Sequence, residues 1–244
     1  MVLQQVEPKK IYIRVDEVPP ELCFTANSAN STVQLTKIGS PTSVNLETST
    51  DWSTWSDYTI WNTITLVNIG DKVYMRNKSE TPTGLWLDEN ENHYQFVMSW
   101  SIAASWDVNY LLCKNSTDTL SNYCYRQLFS QCTSLTSAPK LPATTLANNC
   151  YDRMFVWCTN LTTLPEIKAL NLPLYCCWFM FSRCTSIKLS TTQTWEYQTE
   201  YRIPITWTGT EWTDSLLNMF NSTWWTFTWT PSINITYYTS NTLV

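Results

Sequence analysis

The chain has 244 residues, enough for one large domain or two small ones, and its net charge of −5 argues against a protein that grips nucleic acid. Charged residues make up 14% of the chain, and no apolar run is long enough to span a membrane. The opening text, MVLQQVEPKK, lacks the apolar core of a secretory signal peptide. We therefore expect a globular protein with no membrane span, no nucleic-acid partner and no signal peptide in this sequence.

The first half of the chain predicts short β-strands. Residues 1–22 are charged and proline-rich, and form a tail in which KIYIRV alternates as one strand would. Between 23 and 112, short segments such as STVQLTKIG and HYQFVMSW alternate apolar and polar residues and are separated by turn residues. This spacing is typical of an antiparallel β-sandwich. Residues 113–119 are the predicted junction with the second half.

One dense acidic stretch, Asp88 to His93, lies in this half. A calcium loop of the EF-hand type would need a glycine and spaced acids that are missing here, so a solvated hairpin tip is the favoured interpretation. His93 is the sole histidine, and a Ser-His-Asp or Cys-His pair could be built only through it. No phosphate-binding or dinucleotide motif occurs. We accordingly predict no catalytic residues, no cofactor and no metal site.

A 26-residue repeat begins at Leu120, and its blocks read LSNYCYRQLFSQCTSLTSAPKLPATT, LANNCYDRMFVWCTNLTTLPEIKALN and LPLYCCWFMFSRCTSIKLSTTQTWEY. In the first block Cys124, Leu128 and Cys132 lie at i, i+4 and i+8, the spacing of one helical face. The alternating text that follows suits a strand. Each block therefore predicts a helix-plus-strand unit that buries its apolar face by stacking on the next block. The main recurring columns are Cys124, Cys150 and Cys176; Phe129, Phe155 and Phe181; and Cys132, Cys158 and Cys184.

The pattern CYxxMFxxCTxLTxxPxLPATTLANN, best seen in 120–167, resembles the BspA-type leucine-rich repeats and the related repeats of mycoplasmal surface proteins. The resemblance extends over 120–197 and loosely to 244. It implies a short leucine-rich-repeat solenoid over 113–197. Together with the β-sandwich predicted for 23–112, this gives a mixed β and α/β fold class. Proteins with such repeats are commonly displayed on surfaces, and some are adhesins; nothing catalytic comes with the resemblance.

A divergent cap is predicted for residues 198–244. The text DSLLNMF, Asp214 to Phe220, ends in the same Met-Phe pair as the second block, where Met154 precedes Phe155. Terminal repeats are atypical because one of their sides faces water. We therefore expect 214–220 to form a fourth turn that closes the array.

Six of the nine cysteines belong to the two repeat columns. Their in-block spacing of eight does not match the closely paired ligands of zinc sites, and neither does the adjacent pair Cys176 and Cys177. The favoured interpretation is a ladder of small buried side chains, because free cysteine is among the most buried residue types. Disulfides between neighbouring turns stay open if the protein meets an oxidising compartment.

Glycine and tryptophan are present in unusual numbers. The chain has 4 glycines and 14 tryptophans, whereas average usage would give about 17 glycines. Many tryptophans stand in Ser/Thr/Asp-rich text that reads as turns, including the pair Trp224-Trp225, which reads as a glycine-glycine turn. Trp157, before the second cysteine of its block, stands where the repeat would also tolerate glycine. We hypothesise that many of them occupy glycine positions, through a UGA codon read as tryptophan. The alternative is that they are functional and offer stacking faces to sugars or an anchor to a protein.

A non-enzymatic binding or structural module is the favoured function, and a phage virion protein (a fibre or decoration) that presents its repeat surface to a host receptor is the favoured example. A bacterial cell-surface adhesin is the alternative, and a cytosolic scaffold is a third reading. The expected partner is a protein or glycan on a cell surface, the expected location is the virion or the cell surface, and homo-oligomers stay open. A glycan-active enzyme is less favoured, because no paired carboxylates are evident among Asp152, Glu166 and Glu196. No partner-binding residues can be assigned from the sequence.

Overall fold

The computed structural model describes residues 21–41, 43–82, 85, 92–225 and 229–244. The strand expected at KIYIRV and the acidic residues 88–91 lie outside the described residues. Among those described, no helix is long and apolar enough to cross a membrane. The molecule is rich in β-structure and contains several sheets.

Eight strands and one short 3₁₀ turn, Val108–Leu111, build the first half of the described chain. Strands β4, β3, β6, β1 and β8 form one antiparallel sheet, and β5, β2 and β7 form a second. Phe24 on the first sheet contacts Phe96 on the second with ring centroids 4.9 Å apart, so the two sheets share one core. The strands are β1 (Leu22–Ala26), β2 (Ser31–Ile38), β3 (Leu46–Ser49), β4 (Ser56–Tyr58), β5 (Thr63–Leu66), β6 (Lys72–Asn77), β7 (His93–Ser99) and β8 (Ile102–Ser105).

The second half, as far as its residues are described, contains nine shorter strands. The first of them, β9, joins the edge of β8 in parallel and so extends the larger sheet. The others form two pairs, β10-β17 and β11-β14, and a four-stranded sheet in the order β13-β16-β12-β15. They are β9 (Leu135–Ser137), β10 (Thr163–Leu164), β11 (Asn171–Leu172), β12 (Lys188–Ser190), β13 (Thr199–Tyr201), β14 (Thr210–Glu211), β15 (Trp224–Trp225), β16 (Tyr237–Thr239) and β17 (Thr242–Leu243).

The predicted fold class, mixed β and α/β with a leucine-rich-repeat solenoid, is wrong. The described residues contain no α-helix, and their sheets are small and separate, with none forming a solenoid. Where helices were expected, the chain runs through consecutive β-turns. In the first block the N–H groups of Cys124, Leu128 and Cys132 each donate to the carbonyl three residues earlier. These turns recur every four residues, and this period places the same side chains on one face as a helix would.

A positive φ at every fourth residue distinguishes these turns from a helix. In the first block Tyr123, Gln127 and Gln131 have φ values of 60°, 59° and 62°. Each is the third residue of a hydrogen-bonded turn, the position at which a type II turn requires a positive φ. The equivalent residues of the following segments are Asn149, Arg153 and Trp157; Tyr175, Phe179 and Arg183; and Asp214, Asn218 and Ser222.

The turns of the three blocks are joined by backbone hydrogen bonds whose donor and acceptor lie 25 residues apart in the sequence. Alternate N–H groups of the first and second blocks donate to the next block, at N–O distances of 2.8–3.1 Å. The donors Tyr125, Gln127, Phe129 and Gln131 reach the carbonyls of Cys150, Asp152, Met154 and Val156. Because half of the amides depend on a neighbouring block, a single block cannot satisfy its own backbone.

The predicted phenylalanine column is confirmed. Phe129, Phe155 and Phe181 are buried, and each ring stacks on the next with centroids 5.4 Å apart. The column continues beyond the three blocks, because Phe96 of β7 lies 5.1 Å from Phe129 and Phe220 lies 5.3 Å from Phe181. One aromatic stack therefore runs from the first sheets, through the repeat, to the segment that follows it.

The cysteines form the buried ladder that the sequence predicts, and all nine are free thiols. The thiols of Cys132, Cys158 and Cys184 each donate to a phenylalanine carbonyl of the preceding layer, at 3.0 Å. Burial raises the pKa of Cys124 to about 12. The thiol columns therefore act as small packing groups that also hold adjacent layers in register.

Replacing Phe155 by alanine should lower the free energy of unfolding by about 3–5 kcal/mol, because the cavity would interrupt the stack on both sides. Denaturant unfolding, followed by circular dichroism, measures the loss. The neighbouring Val156→Ala is the control: this half-buried side chain lies outside the stack and should cost far less. A loss below about 1 kcal/mol for Phe155→Ala would show that the column does not stabilise the fold.

Candidate functional site

A cleft of about 630 Å³ lies where the four-stranded sheet meets the turns of the second and third blocks. Its volume is in the range of sites for small ligands. We call it the hydroxyl-lined cleft, because five of the nine described residues that line it are serine or threonine. They are Thr162, Thr185, Ser186, Lys188, Tyr197, Trp224, Ser240, Asn241 and Thr242.

Strand pairing brings the cleft residues together from distant parts of the chain. Strand β15 lies parallel to β12, with Trp224 opposite Lys188. On the other side of β12, strand β16 runs antiparallel and places Thr239 opposite Leu189. The chain then turns through Ser240 and Asn241, which brings both residues to the cleft.

Asn241 holds the base of the cleft. Its side chain is buried, and its Oδ1 accepts from the backbone N–H of Lys188 at 2.8 Å. Its Nδ2 donates to the carbonyls of Thr162 and Ser186, both at 2.9 Å. These three bonds use both hydrogens of the amide and one acceptor site of its oxygen. Asn241 is therefore a structural clamp rather than a ligand-binding group.

The rim of the cleft provides aromatic surface and one cation. Trp224 is 67% exposed, and Tyr197 is half-buried. The ammonium group of Lys188 pairs with Glu196 at 3.4 Å, and both side chains are substantially exposed, so the pair is weak and its partners can be exchanged. Flat rings beside hydroxyl groups suit a ligand that has both C–H faces and hydroxyls.

The most deeply buried carboxylate lies elsewhere, in the second block. Asp152 is 1% exposed, and its Oδ2 lies 2.9 Å from Nε of Arg126 and 3.0 Å from a terminal nitrogen of Arg153. The guanidinium of Arg153 also stacks over the ring of Trp178 at 4.1 Å. Desolvation outweighs the two arginines and raises the pKa of Asp152 to about 6. The ion pair between Arg126 and Asp152 links the turns of the first block to those of the second.

The acids considered for catalysis are distributed among different sites. Asp152 is held by two arginines, whereas Glu196 pairs with Lys188 at the hydroxyl-lined cleft. Glu166 lines a separate cleft of about 280 Å³, together with Lys140 and Lys168. His93 is buried at the start of β7, where it pairs with Ile38 across the sheet. In the described part of the chain, no group of three or more His, Cys, Asp or Glu residues could hold a metal ion.

Comparisons with family models, with curated proteins and with solved structures find no match for this chain. The resemblance of residues 120–197 to BspA-type repeats therefore stays a prediction. The sequence did not single out Lys188, Tyr197 or Asn241 as site residues. Their proximity arises from pairing between segments about 50 residues apart, and no local motif signals it.

The carboxyl group of Asp152 should titrate with a midpoint near pH 6 in the folded protein, as measured by NMR of its side-chain carbon. Because this pKa lies above the usual value of 3.8, the contribution of Asp152 to the free energy of unfolding should decline as the pH rises from about 4 to about 6. The non-titrating Asp152→Asn variant is the reference. A midpoint below 3.8 would show instead that Arg126 and Arg153 outweigh desolvation.

Proposed function

We propose that this protein is a non-enzymatic binding module that takes a cell-surface glycan into the hydroxyl-lined cleft. The observation that carries the proposal is the position of Trp224: its ring is 67% exposed at the rim of the cleft, on a strand that is paired with β12. An indole that is left largely in water contributes little to the core, and its exposed face is free to stack on a sugar ring.

The other lining groups favour a glycan over an apolar peptide. The hydroxyl oxygens of Thr185 and Ser186, whose hydrogens are donated to the carbonyl of Thr159, remain acceptors, and the phenol of Tyr197 and the ammonium of Lys188 offer donors along the same cleft. A polar ligand can replace the water bound to these groups with hydrogen bonds of its own, whereas an apolar ligand would leave them unpaired. Affinity would then come from ring stacking, and specificity from the pattern of hydroxyls.

Two biological settings suit such a module. In the first it is a phage virion protein, a fibre or decoration, and the glycan belongs to a host receptor. In the second it is an adhesin-like protein on a bacterial cell surface. Capsid or tail genes on either side of its gene would support the first setting. Cell-envelope genes in the same positions would support the second.

A glycan array probed with the labelled protein should show binding, and Trp224→Ala should weaken it by about tenfold, which corresponds to about 1.4 kcal/mol. Tryptophan fluorescence titration with the best glycan measures the affinity. Trp195→Ala is the matched control, because Trp195 is 86% exposed and does not line the cleft. Equal affinities of the two variants, or no glycan bound by the parent protein, would contradict the proposal.

A further inference from the structure

We propose that Trp52, Trp61, Trp100 and Trp106 occupy positions at which the fold requires glycine, and that the gene encodes glycine there through UGA codons. All four have a left-handed backbone, with φ values of 61°, 78°, 64° and 64°. Glycine adopts this conformation freely, whereas a residue with a bulky side chain does so only at a cost. None of the four lines the hydroxyl-lined cleft, so variants at these positions leave the residues of that cleft unchanged.

Two turns of the same design show the requirement directly. In the turn 59–62 the N–H of Asn62 donates to the carbonyl of Thr59, and Trp61 is the third residue. In the turn 68–71 the same bond forms between its end residues, and the third residue is Gly70, with φ 89°. Both third residues follow an isoleucine, and both donate their own N–H to a neighbouring strand. Trp61 therefore stands where the second turn has glycine.

The distribution of positive φ values among the described residues supports the same reading. Twelve of the non-glycine residues with positive φ belong to the four segments of repeated turns, where hydrogen bonds between layers hold the backbone. Outside those segments, four of the remaining seven are tryptophan. The other three are Asn30, Ser116 and Asn234, small polar residues, of which asparagine is known to tolerate this conformation. Tryptophan has no such tolerance.

Packing does not explain the rings of Trp61 and Trp100. Trp61 is 54% exposed and Trp100 is 72% exposed, so neither ring fills a core position. Trp106 is half-buried beside the ammonium of Lys140, 5.1 Å from its ring centre. Trp52 alone makes a strong polar contact, since its indole N–H donates to Glu21 at 2.6 Å. Backbone strain can therefore be measured at Trp61 and Trp100 without losing a side-chain hydrogen bond such as that of Trp52 or a cation contact such as that of Trp106.

Backbone conformation also limits how far the inference extends. Trp157 has φ 66°, but the equivalent turn positions carry Gln131, Arg183 and Ser222 with similar φ, so this position does not discriminate. Trp224 and Trp225 form strand β15 and do not have a positive φ, so the glycine-glycine turn expected there is wrong. A tryptophan in that strand needs no glycine to explain its backbone.

The test combines the coding sequence with thermal unfolding of single variants. We expect UGA at the four codons, and a rise in Tm of about 2–4 °C for Trp61→Gly and for Trp100→Gly. Trp207→Gly is the matched control, because Trp207 is also 72% exposed but does not have a positive φ. It should leave Tm unchanged or lower it, since glycine adds freedom to the unfolded chain.

A reverse substitution calibrates the cost of the backbone alone. Gly70→Ala introduces a side-chain carbon with no atom within 4 Å other than those of its own and the two adjacent residues, so its effect on Tm reports the positive φ and not a clash. We expect Tm to fall. UGG at the four codons, or Tm values for Trp61→Gly and Trp100→Gly no higher than that of Trp207→Gly, would overturn the proposal.

Discussion

The stack of aromatic rings is the interaction on which the rest of this structure depends. It begins at Phe96, against which Phe24 packs edge-on at 4.9 Å. It then passes through the three repeat blocks and ends against Phe220, with centroid separations of 5.1–5.4 Å. Every sheet and every turn segment that contributes a ring is fixed relative to its neighbours by that contact. Burial of these rings removes a large apolar area from water.

The repeated turns explain how a chain segment without helices keeps the stacked phenylalanine rings aligned. A turn with a positive φ at its third residue directs alternate amides out of the block, where they find the carbonyls of the next layer. The thiols of Cys158 and Cys184 add a bond to the carbonyl of the phenylalanine in the layer before them. Backbone and thiol hydrogen bonds together thus set the register between adjacent layers. The hydroxyl-lined cleft beside Lys188 lies against these layers.

The sequence predicted the contacts of the repeat better than its conformation. Columns such as Phe129, Phe155 and Phe181 recur at a fixed spacing, so their stacking could be deduced from periodicity alone. The conformation within a block could not be deduced, because turns that recur every four residues and a helix both place Cys124 and Leu128 on one face. The hydroxyl-lined cleft could not be predicted from local sequence patterns, because its residues come from distant segments: Asn241 donates to the carbonyl of Thr162, 79 residues earlier in the chain. Composition showed that tryptophan is unusually frequent, but it could not show which tryptophans occupy glycine-like positions. The backbone φ makes that distinction, because it is positive at Trp61 and not at Trp224.

The equivalence of the layers has a consequence for how such a gene can change. Phe129 meets the next ring with the same geometry as Phe155 does, and the ring of Phe220 receives the stack at nearly the same separation. If one 26-residue unit were duplicated, the new unit would pack against both of its neighbours through contacts that the molecule already contains. The terminal segments would therefore need no substitutions to accommodate it. Length can vary by whole units during evolution while the terminal segments, and the cleft that the last of them completes, are inherited unaltered.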